Sequence, residues 1–326
     1  MTRIIGENIK NIPWEDKPDD CTEVFWRSKL NPILTKKAVK YANSIMNSAV
    51  VTYNGGFAGI FRIDDTTRWP NMYVGFSKDG VKWEINNSPI VWTKTNDEIE
   101  DFVYGYDPRV CKIDNKYIIT WCNEYHGPTI GMAYTYDFKE FYQIENAYMP
   151  QNRNGVMFPR KINGRYMMLS RPTHGDNIGN MFLSQSPDLQ FWGKHRFVME
   201  PTGNWESNKL GAGPIPIETD EGWLIIYHGV LKSCNGLMYC IGTAILDLEK
   251  PWIVKHRTDR YIMGPEEMYE RVGDVGNVVF PCAALVDAQS GKLAMYYGCA
   301  DTVVGLAFSY VEDLISFTKE HDIMKK

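Results

Sequence analysis

One pattern recurs along the chain about every 50 to 70 residues and limits the fold more than any other feature. It consists of a short strand, a turn, a longer aromatic strand, a second turn, a third strand with small residues, and a polar hairpin. The second copy runs Asp107-Pro-Arg-Val-Cys-Lys-Ile113, turns at Asp114-Asn-Lys116, and continues through Tyr117-Ile-Ile-Thr-Trp-Cys-Asn123 to Ile130-Gly-Met-Ala-Tyr-Thr-Tyr-Asp137. The third opens at Phe158-Pro-Arg-Lys-Ile162 and closes at Asp188, and the fourth opens at Gly213-Pro-Ile-Pro-Ile217 and closes at Asp247. The fifth spans Phe280-Pro-Cys-Ala-Ala-Leu-Val286 to Phe308, and a looser first copy starts at Asn47-Ser-Ala-Val-Val51. One twisted sheet cannot cover both of its faces, so units of this kind must stack on neighbours around an axis. Five copies predict an all-β fold, a single five-bladed β-propeller over residues 1–326. Residues 1–40 are expected to form an irregular arm, with a short helix over 36–46. Residues 309–326 are expected to form a helical tail, because Val311, Leu314, Ile315 and Phe317 fall at helical spacing.

The aromatic content of 13%, with 19 Tyr and 10 Trp, suits strands packed on strands and equally suits stacking on sugar rings. A net charge of -5 without any Lys/Arg run argues against nucleic acid as a partner. No window approaches the ~20 apolar residues of a membrane helix, and the N-terminus has no leader pattern, so a cytoplasmic location and no membrane association are expected. The seven cysteines show no CxxC spacing and are expected as buried thiols, not as disulfides or a metal site.

In a propeller the inner strands begin around a central channel, so aligned copies identify its lining. The first strands start at Asn47, Asp107, Phe158, Gly213 and Phe280, among which the acid Asp107 departs from what packing selects. A bland reading exists, an aspartate holding a turn before Pro108. The second strands end at Arg62, Asn123, Arg171, His228 and Gly298, and the loops before two first strands add Arg153 and Lys209. Clustered cations without matching carboxylates repel one another in a partly desolvated channel, so an anion is expected among them. Phosphate suits the set, with Arg offering a planar fork and Lys and a protonated His adding charge. His126 and His174 also lie at strand ends and read as structural hydrogen bonders, and no metal site is expected. No P-loop, GxGxxG, HExxH or GxSxG motif is present.

Sugar cleavage with inversion normally uses two carboxyl groups, one to protonate the leaving oxygen and one to activate water. Phosphate arrives anionic and nucleophilic, so a cationic cradle replaces the base. One acid plus a cation cluster therefore outlines an inverting phosphorolysis site. Cations beside Asp107 would hold it ionised, which places it on the opposite side of the sugar from the Arg group.

Tyr104-Gly-Tyr-Asp-Pro-Arg-Val110, Asn123-Glu-Tyr-His-Gly-Pro-Thr129, Asn152-Arg-Asn-Gly155, Gly211-Ala-Gly-Pro214, Ile226-Tyr-His-Gly229 and Tyr296-Tyr-Gly-Cys-Ala-Asp301 together resemble glycoside hydrolase family 130, the β-mannoside phosphorylases. The resemblance runs from about Pro13 to Phe317 and is greatest to the branch acting on β-1,4-mannooligosaccharides and β-1,4-mannosyl-N-acetylglucosamine. It implies phosphorolysis to α-D-mannose 1-phosphate, with Asp107 as general acid acting through the O3 hydroxyl of the bound mannose. Arg153, Arg171, Lys209 and His228 match phosphate-binding positions. Asn47, Ser48, Arg62, Tyr104 and Asp301 match positions lining the mannose, and Asn123 is placed with them. Phosphate is then a co-substrate, with no cofactor, and homo-oligomers are common in the family. The rival readings are a β-mannoside hydrolase on the same fold and a non-catalytic glycan-binding propeller.

Overall fold

The computed structural model describes residues 2–173, 179–234 and 236–325. Five sheets follow one another along the chain, and each forms a blade; their strand pairings are antiparallel except that of Trp92–Lys94 with Phe141–Ile144 in blade 2. Blade 1 runs from Ala42–Tyr53 to Trp83–Ile85, blade 2 from Gly105–Ile113 to Phe141–Ile144, and blade 3 from Asn152–Met157 to Gly193–Met199. Blade 4 runs from Lys209–Ala212 to Val254–Arg257, and blade 5 from Val279–Val286 to Val303–Tyr310.

The strands read as apolar on both sides because both faces of every blade are buried. In blade 4, Trp223, Ile225 and Tyr227 pack toward blade 3, while Leu224 and Ile226 pack toward blade 5. In blade 2, Ile119 and Trp121 face blade 1, and Ile118 faces blade 3. A further cluster joins Val50 and Phe57 of blade 1 to Leu285, Tyr296 and Phe308 of blade 5, which closes the ring.

The aspartates that end the repeats build turns. Asp79, Asp137, Asp188 and Asp247 each accept two backbone N–H bonds through Oδ1, from residues two and three positions on. In blades 1 to 3 a hydroxyl two residues earlier, on Ser77, Thr135 or Ser186, caps the same turn.

The N-terminal arm is largely irregular, yet two short pieces pair with the propeller. Ile4–Ile5 joins the edge of blade 4, and Trp26–Arg27 supplies the outermost strand of blade 5. The helix expected over 36–46 is absent. A 3₁₀ turn occupies Lys36–Ala38 and the inner strand of blade 1 starts at Ala42. A short apolar run fits helix or strand by periodicity, and here burial on both faces decides for strand. The C-terminal helix forms over Val311–Glu320 and buries Val311, Leu314 and Ile315 between blades 4 and 5. Five cysteines, Cys111, Cys122, Cys240, Cys282 and Cys299, are buried thiols, whereas Cys21 is half-buried and Cys234 exposed. Among the described residues no helix is long and apolar enough to cross a membrane.

Candidate active site

The first strands of blades 1, 2 and 3 each carry a β-bulge near the channel, where the register slips between Met46 and Ala49, Tyr106 and Arg109, and Arg153 and Val156. A bulge re-aims the side chain it frees. The freed residues Asn47, Asp107 and Asn154 all have positive φ, at 46°, 53° and 55°. Such backbone costs of order 1–3 kcal/mol per residue and persists only where the surroundings impose it.

This register corrects the alignment of two copies. The first strand of blade 3 is Asn152–Met157, so Asn154 and not Phe158 is the counterpart of Asp107. Phe158 lies in the core against Trp223, ring centroids 5.1 Å apart. In blade 4 the strand breaks at Gly213, with Lys209–Ala212 and Ile217–Thr219 pairing opposite ends of the same neighbour. Arg153 and Lys209 are thus strand residues, not loop residues. An Asn-Gly pair at 154–155, tolerant of positive φ, was the signal for the missed bulge.

A cavity of about 290 Å³ opens between these bulges, lined by Asn47, Arg62, Asp107, Arg153, Arg171, Lys209, His228 and Asp301 among others. Eight of the expected site residues therefore meet. Ser48, Tyr104 and Asn123 do not line it: Ser48 is fully buried, Asn123 donates to Asn146 Oδ1 at 2.8 Å, and Tyr104 packs against Tyr106 with the rings tilted by 39°. Tyr106, Asn154 and Tyr239 line it without having been anticipated. His126 stands at a turn with φ 50°, and His174 lies outside the described residues.

Acids gather on one side. Asp107 Oδ1 accepts from Asn47 Nδ2 at 2.7 Å and Arg62 Nη1 at 3.1 Å, while Oδ2 takes no hydrogen bond from a described residue. Arg62 also forks onto Asp64 at 2.9 and 3.0 Å. Burial opposes the Arg62 charge, but Asp107 and Asp64 hold its pKa above the ordinary value. Asp301 sits in a three-residue turn with Ala300 and Thr302, with φ 46° at Asp301 and 48° at Ala300. Burial pushes the Asp301 carboxyl up to about 6; Arg62 opposes this, and Asp107, Asp64 and Asp274 reinforce it. Asp107 was expected apart from every cation, and the contact with Arg62 corrects that. Arg153, Arg171 and Lys209 stand elsewhere in the cavity, whereas Arg62 belongs to the acid side.

Cations gather on the other side. Arg153 and Arg171 are directly opposite on neighbouring strands of blade 3, a pairing of like charges that is unfavourable by itself. Among the described residues Arg153 donates to neutral oxygens, Tyr106 Oη and Thr173 Oγ1, both at 3.3 Å. Arg171 is 6% exposed, and burial holds its pKa below the ordinary value. Its Nη1 meets His228 Nε2 at 3.1 Å. Arginine only donates, so Nε2 accepts and the imidazole is neutral, its proton on Nδ1. Burial first, then Arg171, Arg109 and Lys209, keep the His228 pKa well below its usual range. The protonated histidine expected from sequence is thus corrected to a neutral one that orients Arg171. Lys209 is brought down to about 8 by burial and by Arg171 and Arg153.

Glycines make room for these contacts. A Cβ on Gly298 would lie 1.8 Å from Asn47 Oδ1, and one on Gly211 would lie 2.7 Å from His228 Cε1 and 3.0 Å from Arg171 Nη1. Beneath the cavity, the buried Arg109 donates to the carbonyls of Asp107, Pro108 and Gly213 at 2.7–3.2 Å, tying blade 2 to blade 4 behind the acid.

A family profile described as β-1,4-mannooligosaccharide phosphorylase matches residues 6–320. The chain belongs to glycoside hydrolase family 130. Within the family, the chain is 55% identical to the β-1,4-mannooligosaccharide phosphorylase of Ruminococcus albus, over 98% of both chains. The β-1,2-mannobiose phosphorylase of Listeria innocua, solved with β-1,2-mannobiose, superposes with a TM-score of 0.81 at 26% identity, covering 91% of this chain and 99% of that one. A family 130 structure, from work describing hydrolases that target β-1,2-mannosidic linkages in Candida mannan, shares the fold with a TM-score of 0.76 at 21% identity, over 94% and 97% of the two chains.

Proposed function

We propose that this enzyme is an inverting phosphorylase of β-1,4-linked mannooligosaccharides that releases α-D-mannose 1-phosphate. Phosphate is the co-substrate and no further cofactor is called for. The observation that carries this reading is the division of one cavity into an acid side around Asp107 and a cation side, Arg153, Arg171 and Lys209, with no carboxylate bonded to it among the described residues. Buried positive charges without counter-charge are costly, and an anion held between them offsets that cost. The family membership and the 55% identity to a β-1,4-specific relative support the linkage.

In this reading the cations and Asn154 hold phosphate beneath the terminal mannose. A phosphate oxygen attacks the anomeric carbon as the bond to the leaving oxygen breaks. The leaving oxygen takes the proton of the mannose O3 hydroxyl, and Asp107 supplies that hydroxyl with its own. Asn47, Arg62 and Asp301 orient the sugar. Cation recruitment replaces the second carboxylate that water attack requires. A cytoplasmic location goes with this reading, since five cysteines are buried as thiols outside any disulfide.

The test is release of sugar from β-1,4-mannobiose with and without inorganic phosphate. Phosphate-dependent formation of α-mannose 1-phosphate is expected. Equal mannose release in both conditions would make the protein a hydrolase, and no release from any β-1,4-mannoside would leave a binding propeller.

A further inference from the structure

We infer that Trp69, outside the cavity, is a distal sugar platform that selects for longer acceptor chains. This rests on the proposed function and extends it from the cleaved bond to the length of substrate.

The cavity, at about 290 Å³, stands at the small end of the ~300–1,000 Å³ found for sites that enclose a whole ligand. A terminal mannose together with phosphate fills such a space. The remainder of an oligosaccharide must therefore leave it along the surface, and an aromatic path leads out. Tyr106 lines the cavity. The half-buried Tyr104 follows, its ring 6.0 Å from Tyr106 at 39°. Trp69 comes next, 5.5 Å from Tyr104 at 81° and 45% exposed. Tyr106 and Tyr104 are half-buried and the path ends at the exposed Trp69, and flat faces of this kind bind the C–H side of a pyranose while its hydroxyls stay hydrated.

Trp69 is held in place before any ligand arrives. Asp65 Oδ1 accepts from the backbone N–H of Thr67 and Trp69, at 2.7 and 3.2 Å, and from Thr67 Oγ1 at 2.6 Å. Arg68, at φ 70°, pairs with Asp274 at 2.9 Å, which fixes the turn to the segment that carries the cavity residue Val275. A large indole that is half-exposed yet pinned by its own backbone loses little conformational freedom on binding, which favours recognition. Edge contact with Tyr104 alone does not call for such a frame.

The experiment compares kcat/KM for phosphorolysis of β-1,4-mannotetraose and β-1,4-mannobiose in the wild type, Trp69→Ala and Trp69→Phe. The ratio of tetraose to biose is expected to fall about five- to tenfold in Trp69→Ala and to recover within about twofold of wild type in Trp69→Phe. An unchanged ratio, or an equal loss on both substrates, overturns the inference and leaves Trp69 a packing residue. Failure of the wild type to use phosphate with either substrate would instead overturn the proposed function, so the two failures are separable.

Discussion

The two sides of the cavity are built by different blades and solve opposite electrostatic problems. Blades 1, 2 and 5 bring Asp64, Asp107 and Asp301 around the guanidinium of Arg62, which ion-pairs with the first two, while burial raises the Asp301 carboxyl to about 6. Blades 3 and 4 bring Arg153, Arg171 and Lys209 together with no carboxylate bonded to them among the described residues. The first side holds its cation between carboxylates and can be rigid without ligand. The second is complete only with an anion, which is where a co-substrate is expected to contribute charge. The difference explains how one small space can present a proton donor and a nucleophile's cradle without the two neutralising each other.

The largest way to break this comparison is Asp107→Asn. It keeps the size of the side chain but removes the proton donor, so kcat for phosphorolysis should fall about 10³-fold while substrate affinity, measured by calorimetry, stays within about threefold. Full activity in this variant would remove the acid from the acid side.

A smaller effect is expected across the cavity. Arg153→Ala should raise KM for phosphate by about 10- to 100-fold and KM for the mannoside by about threefold or less, read from initial rates at varied concentrations of each. The reverse pattern would move the anion site to Arg62.

The smallest expected effect sharpens the comparison through pH. Lys209, held down to about 8, is charged below that pH and neutral above it. KM for phosphate should therefore rise about threefold or more between pH 7 and pH 9 in the wild type. In Lys209→Gln it should be high throughout and lack that rise. An identical alkaline rise in the variant would assign the titration to another group.

The blades were legible because alternation and turn chemistry are local. Residues such as Trp223 and Leu224 announce opposite buried faces by their order alone, and Ser-x-Asp or Thr-x-Asp endings announce the turns that close the third strands. The expected helix over 36–46 fails for a complementary reason, since Ile45 and Met46 are apolar enough for either structure and only a neighbour decides. Phe158 misled the alignment because an aromatic before Pro159 mimics Phe280 before Pro281, while the bulge at Asn154 leaves a weak local mark. Ser48, Tyr104 and Asn123 sit within a residue or two of cavity positions, and side-chain direction at a bulge does not follow from spacing.

By itself, then, the order of residues determined five sheets stacked on one another, an acid on the second and a surplus of positive charge on the third and fourth, because periodicity and composition act within a strand's own length. Only the closed ring decided that Arg62 meets Asp107, that His228 is a neutral acceptor for Arg171, and that Gly298 yields its space to Asn47. Those contacts cross from one blade to its neighbour, and their distances depend on bulges and burial that no local pattern encodes.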